Sequence, residues 1–260
     1  MMEASDILKT LNEACDAAAV ETLARFRVGT RVSNKEAGGF DPVTEGDRGA
    51  ETAIRAVIEK RHPDHSILGE EHGLTGDSPW QWIIDPIDGT RAFISGLPVW
   101  GTLIGLYHNG RPVAGVMDQP YTGERYIGLP DGTARLTDRF STHDLTTSAV
   151  TELADATVMT VDPVMLDNPR DGAFFNVTSR AKLVRYGCDC YAYSMVASGH
   201  VEAVIESCMN VYDIAALIPI IEQAGGIVTN WQGGDGSQGG QVLACANPTL
   251  HARIVETLNA

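Results

Sequence analysis

The chain is organised around Trp82-Ile83-Ile84-Asp85-Pro86-Ile87-Asp88-Gly89-Thr90. Trp82, Ile83 and Ile84 form a short continuous apolar run, the pattern of a buried strand. Asp85 stands where that strand should end. Pro86 has no N–H to give a sheet ladder, so regular pairing is expected to stop there. Asp88 follows three residues on, and Gly89 lets the backbone turn tightly. The pattern predicts two carboxylates and a free carbonyl at the mouth of a sheet, hard oxygen donors suited to Mg²⁺. The Gly89 and Thr90 N–H groups would then face an anion held against the metal. For an isolated D-x-x-D a solvated turn is the better reading. Here the turn interrupts an apolar strand among other acidic stretches, which favours a metal site.

Upstream, Ser66-Ile67-Leu68 reads as a short strand running into Gly69-Glu70-Glu71. These carboxylates either face solvent or join Asp85, and Glu70, directly after the glycine, is the better inward candidate. Thr44 is placed to cap a helix with Ala50, Ile54, Val57 and Ile58 on its apolar face, ended by His62-Pro63. Asp47 falls in that helix's first turn, and position alone favours a helix-stabilising role for it. Lys35 to Asp41 reads as a loop, with Lys35 a candidate contact, after a short strand at Arg31 to Asn34. From Ser5, a plausible N-cap, to Phe26 the apolar spacing predicts an amphipathic helix.

Downstream, Trp100 to Tyr107 and Arg111 to Asp118 read as a hairpin through Asn109-Gly110. Arg125 to Leu129 and Thr133 to Leu136 extend it as an antiparallel meander. Asp138 to Leu153 reads as a polar connection. Beyond it, strands are expected at Ala156–Val161, Lys182–Tyr186, Val201–Ile205, Ile227–Thr229 and Gln241–Ala246. Helices are expected at Pro169–Arg180, Tyr191–Ser198 and Asp213–Ala224, the last with a kink or late start at Pro219. Asn247-Pro248 opens a final helix. Asp213 would be stabilised at a helix start by ~0.3–1 kcal/mol, or would serve as a further ligand; its position does not decide.

The 260 residues suit one domain, with an N-terminal half to about residue 138 and a C-terminal half over about 139–260. The formal net charge of -15 disfavours nucleic acid and anionic membranes as partners. No apolar run reaches the ~20 residues that span a bilayer. The first residues lack the basic and apolar regions of a signal peptide, so a cytoplasmic location is expected. Five scattered cysteines argue against a disulfide framework.

Gly69-Glu70-Glu71, Asp85-Pro86-Ile87-Asp88-Gly89-Thr90 and Tyr212-Asp213-Ile214-Ala215-Ala216 before Glu222-Gln223-Ala224-Gly225-Gly226 together resemble the inositol monophosphatase family. Pro42-Val43-Thr44-Glu45-Gly46-Asp47 resembles its upstream motif, and the likeness covers nearly the whole chain. It implies an α/β fold, a layered α/β/α/β/α sandwich, and a Mg²⁺-dependent phosphomonoesterase acting on a small phosphate ester, with two or three ions per site. Glu70, Asp85 and the Ile87 carbonyl would hold one ion. Asp85, Asp88 and Asp213 would hold a second, and Glu70 would assist a third through water. Asp47 and Thr90 would orient the attacking water, and Gly89 and Thr90 would bind phosphate. A homodimer is also implied.

Asp88-Gly89-Thr90-Arg91-Ala92-Phe93-Ile94-Ser95-Gly96-Leu97-Pro98, with Val116 to Pro120 and Gly199 to Glu202, looks most like the bacterial histidinol-phosphate phosphatase branch. By the same likeness Gly187-Cys188-Asp189 lies where the leaving alcohol binds. There Asp189 and Glu206 would suit a cationic alcohol, and Asp88 and Arg91 would contact the substrate. A helix-capping role for Asp189 carries comparable weight. The alternatives are a broad inositol or sugar monophosphatase and a non-catalytic binding protein of the same fold.

Overall fold

The computed structural model describes residues 2–28, 32–34, 42–166 and 172–260. Lys35 and the loop to Asp41, Arg31 at the start of its expected strand, and the start of the helix expected from Pro169 lie outside the described residues.

In chain order the first half runs α1 (Ala4–Leu23), β1 (Val32–Asn34), β2 (Pro42–Thr44), α2 (Glu45–Arg61), β3 (Ser66–Gly69), β4 (Gly73–Thr75), β5 (Trp80–Asp88) and α3 (Thr90–Ile94). The meander follows as β6 (Gly101–His108), β7 (Arg111–Gln119), β8 (Glu124–Gly128), β9 (Ala134–Thr137) and β10 (Thr142–Asp144). The second half runs β11 (Thr157–Thr160), α4 (Ala173–Thr178), β12 (Leu183–Tyr186), α5 (Asp189–Ala197), β13 (Ala203–Met209), α6 (Val211–Ile214), α7 (Leu217–Gln223), β14 (Ile227–Thr229), β15 (Gly240–Cys245) and α8 (Pro248–Leu258).

Two sheets organise these elements. The larger has eight strands in the order β10-β9-β8-β7-β6-β5-β3-β4, and the smaller five in the order β12-β11-β13-β15-β14. Alternation along the strands assigns each face. Trp82 and Ile84 of β5, with Ile104 and Leu106 of β6, pack on Ile7, Leu11, Ile54 and Ile58 of α1 and α2. The opposite face, through Leu103 and Met117, meets α5 and α7, which also cover Val204, Val242 and Ala244 of the second sheet. Ala203, Ile205, Leu243 and Cys245 point the other way, onto α4 and α8. The layers are therefore α/β/α/β/α, as the resemblance implied. A fully buried aliphatic side chain contributes ~1.5–3 kcal/mol, so these faces outweigh any single helix cap.

One seam fixes how α6 and α7 meet the large sheet. Gly105, Gly115 and Gly128 are cross-strand neighbours on β6, β7 and β8. A Cβ at Gly105 would come within 2.8 Å of the Ala215 backbone, and one at Gly128 within 2.5 Å of the Pro219 backbone. A Cβ at Gly115 would fall on the Ala216 carbonyl. The row lets helix backbone lie directly on sheet backbone.

The structure corrects several expectations. The first helix starts before Ser5: the Glu3 carbonyl already accepts from Asp6 and Ile7, and no side chain caps it. Pairing of β5 with β6 does not end at Pro86. It is interrupted after Asp85↔Leu103 and resumes at Asp88↔Gly101, with the Pro86 carbonyl taking the Thr102 hydroxyl at 2.9 Å. The helix expected from Asp213 is two, broken at Ala215-Ala216. Pro219 then falls in the first turn of α7, where a missing N–H breaks no helical bond. The short edge strands β4 and β10 and the helix α3 were not anticipated. Both edge strands are exposed along most of their length, so they carry no buried alternation to read.

Candidate active site

Asp85 is buried at 3% exposure near the end of β5, where its Oδ1 accepts the Ile87 N–H at 3.1 Å. Asp88 closes the same strand, and its Oδ2 accepts the Cys190 N–H of α5 at 2.7 Å. Asp213 arrives from α6. Its Oδ2 accepts the Asn210 N–H at 2.6 Å, so the carboxylate is fixed by its own helix start. Oxygens of Asp85, Asp88 and Asp213 all lie within 4.8 Å of one another. The structure thus brings together the two strand-end carboxylates and the one whose position in the sequence left its role open.

Glu70 stands outside that trio but close enough to Asp85 for its carboxylate to raise the Asp85 pKa. The Ile87 side chain is buried among Phe26, Phe93 and Trp100, which leaves its carbonyl at the turn, accepting the Thr90 hydroxyl at 3.1 Å. Thr90 Oγ1 also lies 3.5 Å from Asp47 Oδ1. Asp47 is buried, and its Oδ2 accepts the Thr44 N–H at 2.8 Å in a capping box. The helix role and the approach to Thr90 therefore use different oxygens of one carboxylate. Gly89 has φ +79 and opens α3, so its N–H and that of Thr90 lie at the turn beside Asp88.

On the opposite wall, Gly187, Cys188 and Asp189 have φ of 82, 84 and 42, three successive left-handed residues. That run carries the Asp189 side chain against Gly89, where an added Cβ would come within 2.9 Å of Asp189 Cγ. The capping reading of Asp189 does not hold: Cys188 precedes the helix, Asp189 is its first residue, and no side chain caps it. Glu206 is buried on β13, its Oε1 accepting the Val161 N–H at 2.6 Å and its Oε2 the Thr160 hydroxyl at 3.3 Å.

Glu70, Asp85, Ile87, Asp88, Gly89, Thr90, Gly187, Asp189, Glu206 and Asp213 line one cavity of about 770 Å³, while Asp47 lies buried behind Thr90, outside that lining. Its lining includes Glu70, Asp85, Asp88, Asp162, Asp189, Glu206 and Asp213, against Arg91 as the only basic side chain among the described lining residues. The electrostatics follow from that imbalance. Burial, then Glu70, Asp88 and Asp213, pushes Asp85 well above the usual carboxylate range. Burial, then Asp189 and Asp213, does the same to Asp88. Burial raises Asp213 to about 7 and Asp47 to about 6. Asp189 is raised to about 6 by burial, with Arg91 acting in the opposite direction. Glu206 is raised to about 8 by burial, against the hydrogen bonds it accepts.

Burying a charge without a counter-charge costs several kcal/mol. Burial and neighbouring carboxyls are the largest influences on Asp85, and the clustered donors are all oxygen. That is the chemistry of a hard divalent cation site, so the residues present fit a metal.

Several lining residues were not read from the sequence. Val161 and Asp162 follow β11, at the carboxyl end of parallel strands where ligands gather in open α/β sheets. A rule applied to that strand end would have found them. Ser207, Cys208 and Met209 line the cavity where β13 loses register between Glu206 and Met209, and Cys208 has φ +61. Nothing in the local composition marks that irregularity.

The model of the inositol monophosphatase family matches residues 3–260. A bifunctional chloroplastic phosphatase, IMPL2, of Arabidopsis thaliana is 41% identical over 75% of the chain, which spans only 56% of that relative's length. The histidinol-phosphatase of Streptomyces coelicolor is 34% identical, covering 98% of this chain and 97% of its own. An inositol monophosphatase structure from Zymomonas mobilis superposes with a TM-score of 0.88 at 32% identity, covering 100% of both chains.

Proposed function

The chain belongs to the inositol monophosphatase family and is a phosphatase, and from that premise we propose that it hydrolyses L-histidinol phosphate to L-histidinol and phosphate, with Mg²⁺ as cofactor. The observation that carries the substrate assignment is the pair Asp189 and Glu206. Both carboxyls line the cavity, and an alcohol bearing an ammonium and an imidazole would meet complementary charge there, its cation favouring the ionised form that burial disfavours in Glu206. Likeness to histidinol-phosphatases over almost the full chain supports the same reading.

In this reading Glu70, Asp85, the Ile87 carbonyl, Asp88 and Asp213 hold the metal. Bound Mg²⁺ would neutralise the dianionic ester and acidify water. The chain's own groups do the rest. The Gly89 and Thr90 N–H groups take the phosphate oxygens. Thr90 Oγ1, with Asp47 Oδ1 3.5 Å behind it, orients the attacking water; the water's proton passes to the Thr90 hydroxyl as that hydroxyl gives its own to the Asp47 carboxylate. Asp189 and Glu206 hold the leaving alcohol, while Arg91 contacts substrate beside Asp189. Attack is in line by water, so no phospho-enzyme forms.

The proposal extends to one domain whose halves share this site, acting as a homodimer in the cytoplasm, in histidine biosynthesis. Among the described residues, no helix is long and apolar enough to cross a membrane. The second reading is a broad inositol or sugar monophosphatase, favoured by the Zymomonas likeness. Phosphate release with Mg²⁺ from L-histidinol phosphate and from myo-inositol 1-phosphate, with EDTA controls, decides. Strong preference for the first is expected. Equal use of both, or preference for the second, would move the protein to the broader class.

A further inference from the structure

Below Glu70 lies a buried ion pair that does not line the cavity. Glu51 sits one turn past Asp47 on α2 with a side-chain exposure of 0%. Arg55 Nε donates to Glu51 Oε1 at 2.7 Å. Glu51 Oε2 accepts the Glu71 N–H at 2.7 Å, and Oε1 accepts the His72 N–H at 3.2 Å. Arg55 carries the clamp onward, from Nη1 to Thr75 Oγ1 at 3.0 Å and from Nη2 to the Gly73 carbonyl. The pair therefore grips the backbone immediately after Glu70. On the other side, the Glu70 N–H donates to the Ile84 carbonyl at 3.1 Å, next to Asp85. Gly69 completes the fit: a Cβ there would overlap the Glu51 carboxylate.

Stability alone is a poor reason for such a pair. A buried ion pair is often no better than apolar residues of the same volume. What Glu51 supplies and an apolar residue would not is an acceptor for two successive N–H groups of a turn. Glu70 is long and only half-buried, so the direction of its carboxylate depends on where that turn holds its backbone.

We propose that Glu51, locked by Arg55, is the positioning residue for Glu70, acting on cation binding through the backbone of residues 70–73 while touching neither metal nor substrate. The proposal rests on the reading of Glu70 as a cation ligand. Outer partners of metal sites are typically worth ~10–100-fold in affinity, which sets the expected size.

The test is Mg²⁺ binding to metal-free protein by calorimetry, beside thermal melts, for Glu51→Gln, Arg55→Lys, Glu70→Ala and the Glu51→Gln/Glu70→Ala double variant. Glu51→Gln should weaken Mg²⁺ binding by ~10-fold or more, and Arg55→Lys by a smaller factor. The double variant should bind Mg²⁺ as Glu70→Ala does, because both changes act through one side chain. A folded Glu51→Gln with affinity within about twofold of the parent overturns the proposal, as does a fully additive loss in the double variant. If Glu51→Gln does not fold, Arg55→Lys carries the same test: weakened binding supports the proposal and unchanged binding overturns it. An unchanged isotherm for Glu70→Ala would remove the premise, and is distinguishable because it appears without any change at Glu51.

Discussion

Asp88 does two jobs with one carboxylate: Oδ2 anchors the Cys190 N–H of α5, and the group belongs to the trio within 4.8 Å. Asparagine at this position keeps a carbonyl for the first job and loses the charge needed for the second. Asp88→Asn is expected to fold and to lose Mg²⁺ affinity by at least ~10-fold, since even outer partners of a metal are worth that much. Titration of the metal-free variant checks it, and near-normal affinity would remove Asp88 from the cation site. Asp189 presents a different choice. A hydrogen bond to a charged group contributes ~1.5–3 kcal/mol, or about 10–100-fold. Asp189→Ala should therefore reduce kcat/KM for L-histidinol phosphate by ~10–100-fold more than for a neutral sugar phosphate. An equal loss on both would make Asp189 a residue of the turn alone. Asp85 was legible from the apolar run that precedes it, and Thr44 and Asn247 from their helix-opening positions. The hold of Asp189 on Gly89 was not, because it depends on positive φ at Cys188 and Asp189, where nothing local demands glycine-like backbone.

At the scale of elements, the glycine seam on the large sheet sets where α6 brings Asp213. Gly115 has the Ala216 carbonyl where a side chain would begin, and Asp213 lies three residues before Ala216. Overpacking typically costs ~1–3 kcal/mol, and a clash with backbone belongs at the upper end. For a protein of this size that is about 6–12 °C in Tm. Gly115→Ala is expected to lower Tm by that amount and to weaken Mg²⁺ binding, since α6 must lift away from the sheet. Unchanged binding after a normal fall in Tm would mean that the seam relaxes without moving Asp213. This contact was invisible in the sequence: a glycine inside a strand reads as a weakness, and only cross-strand register reveals three of them in a row. The break at Ala215-Ala216, by contrast, was legible: Pro219 has no N–H for the Ala215 carbonyl and called for a kink or a late start, and α7 begins at Leu217.

For the whole molecule, the site joins residues from both sheets and from the helices between them, so cation binding is linked to global stability. A ligand at 100 times its Kd stabilises by ~2.7 kcal/mol. The raised pKa values give this linkage a sign. Asp47, Asp213 and Glu206 bind protons more tightly folded than unfolded, at about 6, 7 and 8. Their contribution is therefore present at low pH and lost as pH rises through those values. These three groups therefore weigh against the metal-free fold between pH 6 and 8, and the gain in Tm on adding Mg²⁺ should be larger at pH 8. Burial lowers the pKa of His62, His65 and His251, which destabilises the fold as pH falls, but that applies with and without metal and cancels in the difference. Melts at both pH values in EDTA and in Mg²⁺ check it; a gain that is larger at pH 6 would contradict it. The glycine row also acts as a ruler for strand alignment. A slip of one residue in β6, β7 or β8 would offer Ile104 or Leu106, Ala114 or Val116, or Ile127 to the α6–α7 backbone in place of a hydrogen atom. Misaligned meanders are thus refused by the helices that carry Asp213, so an assembled acidic cluster certifies a correctly registered sheet.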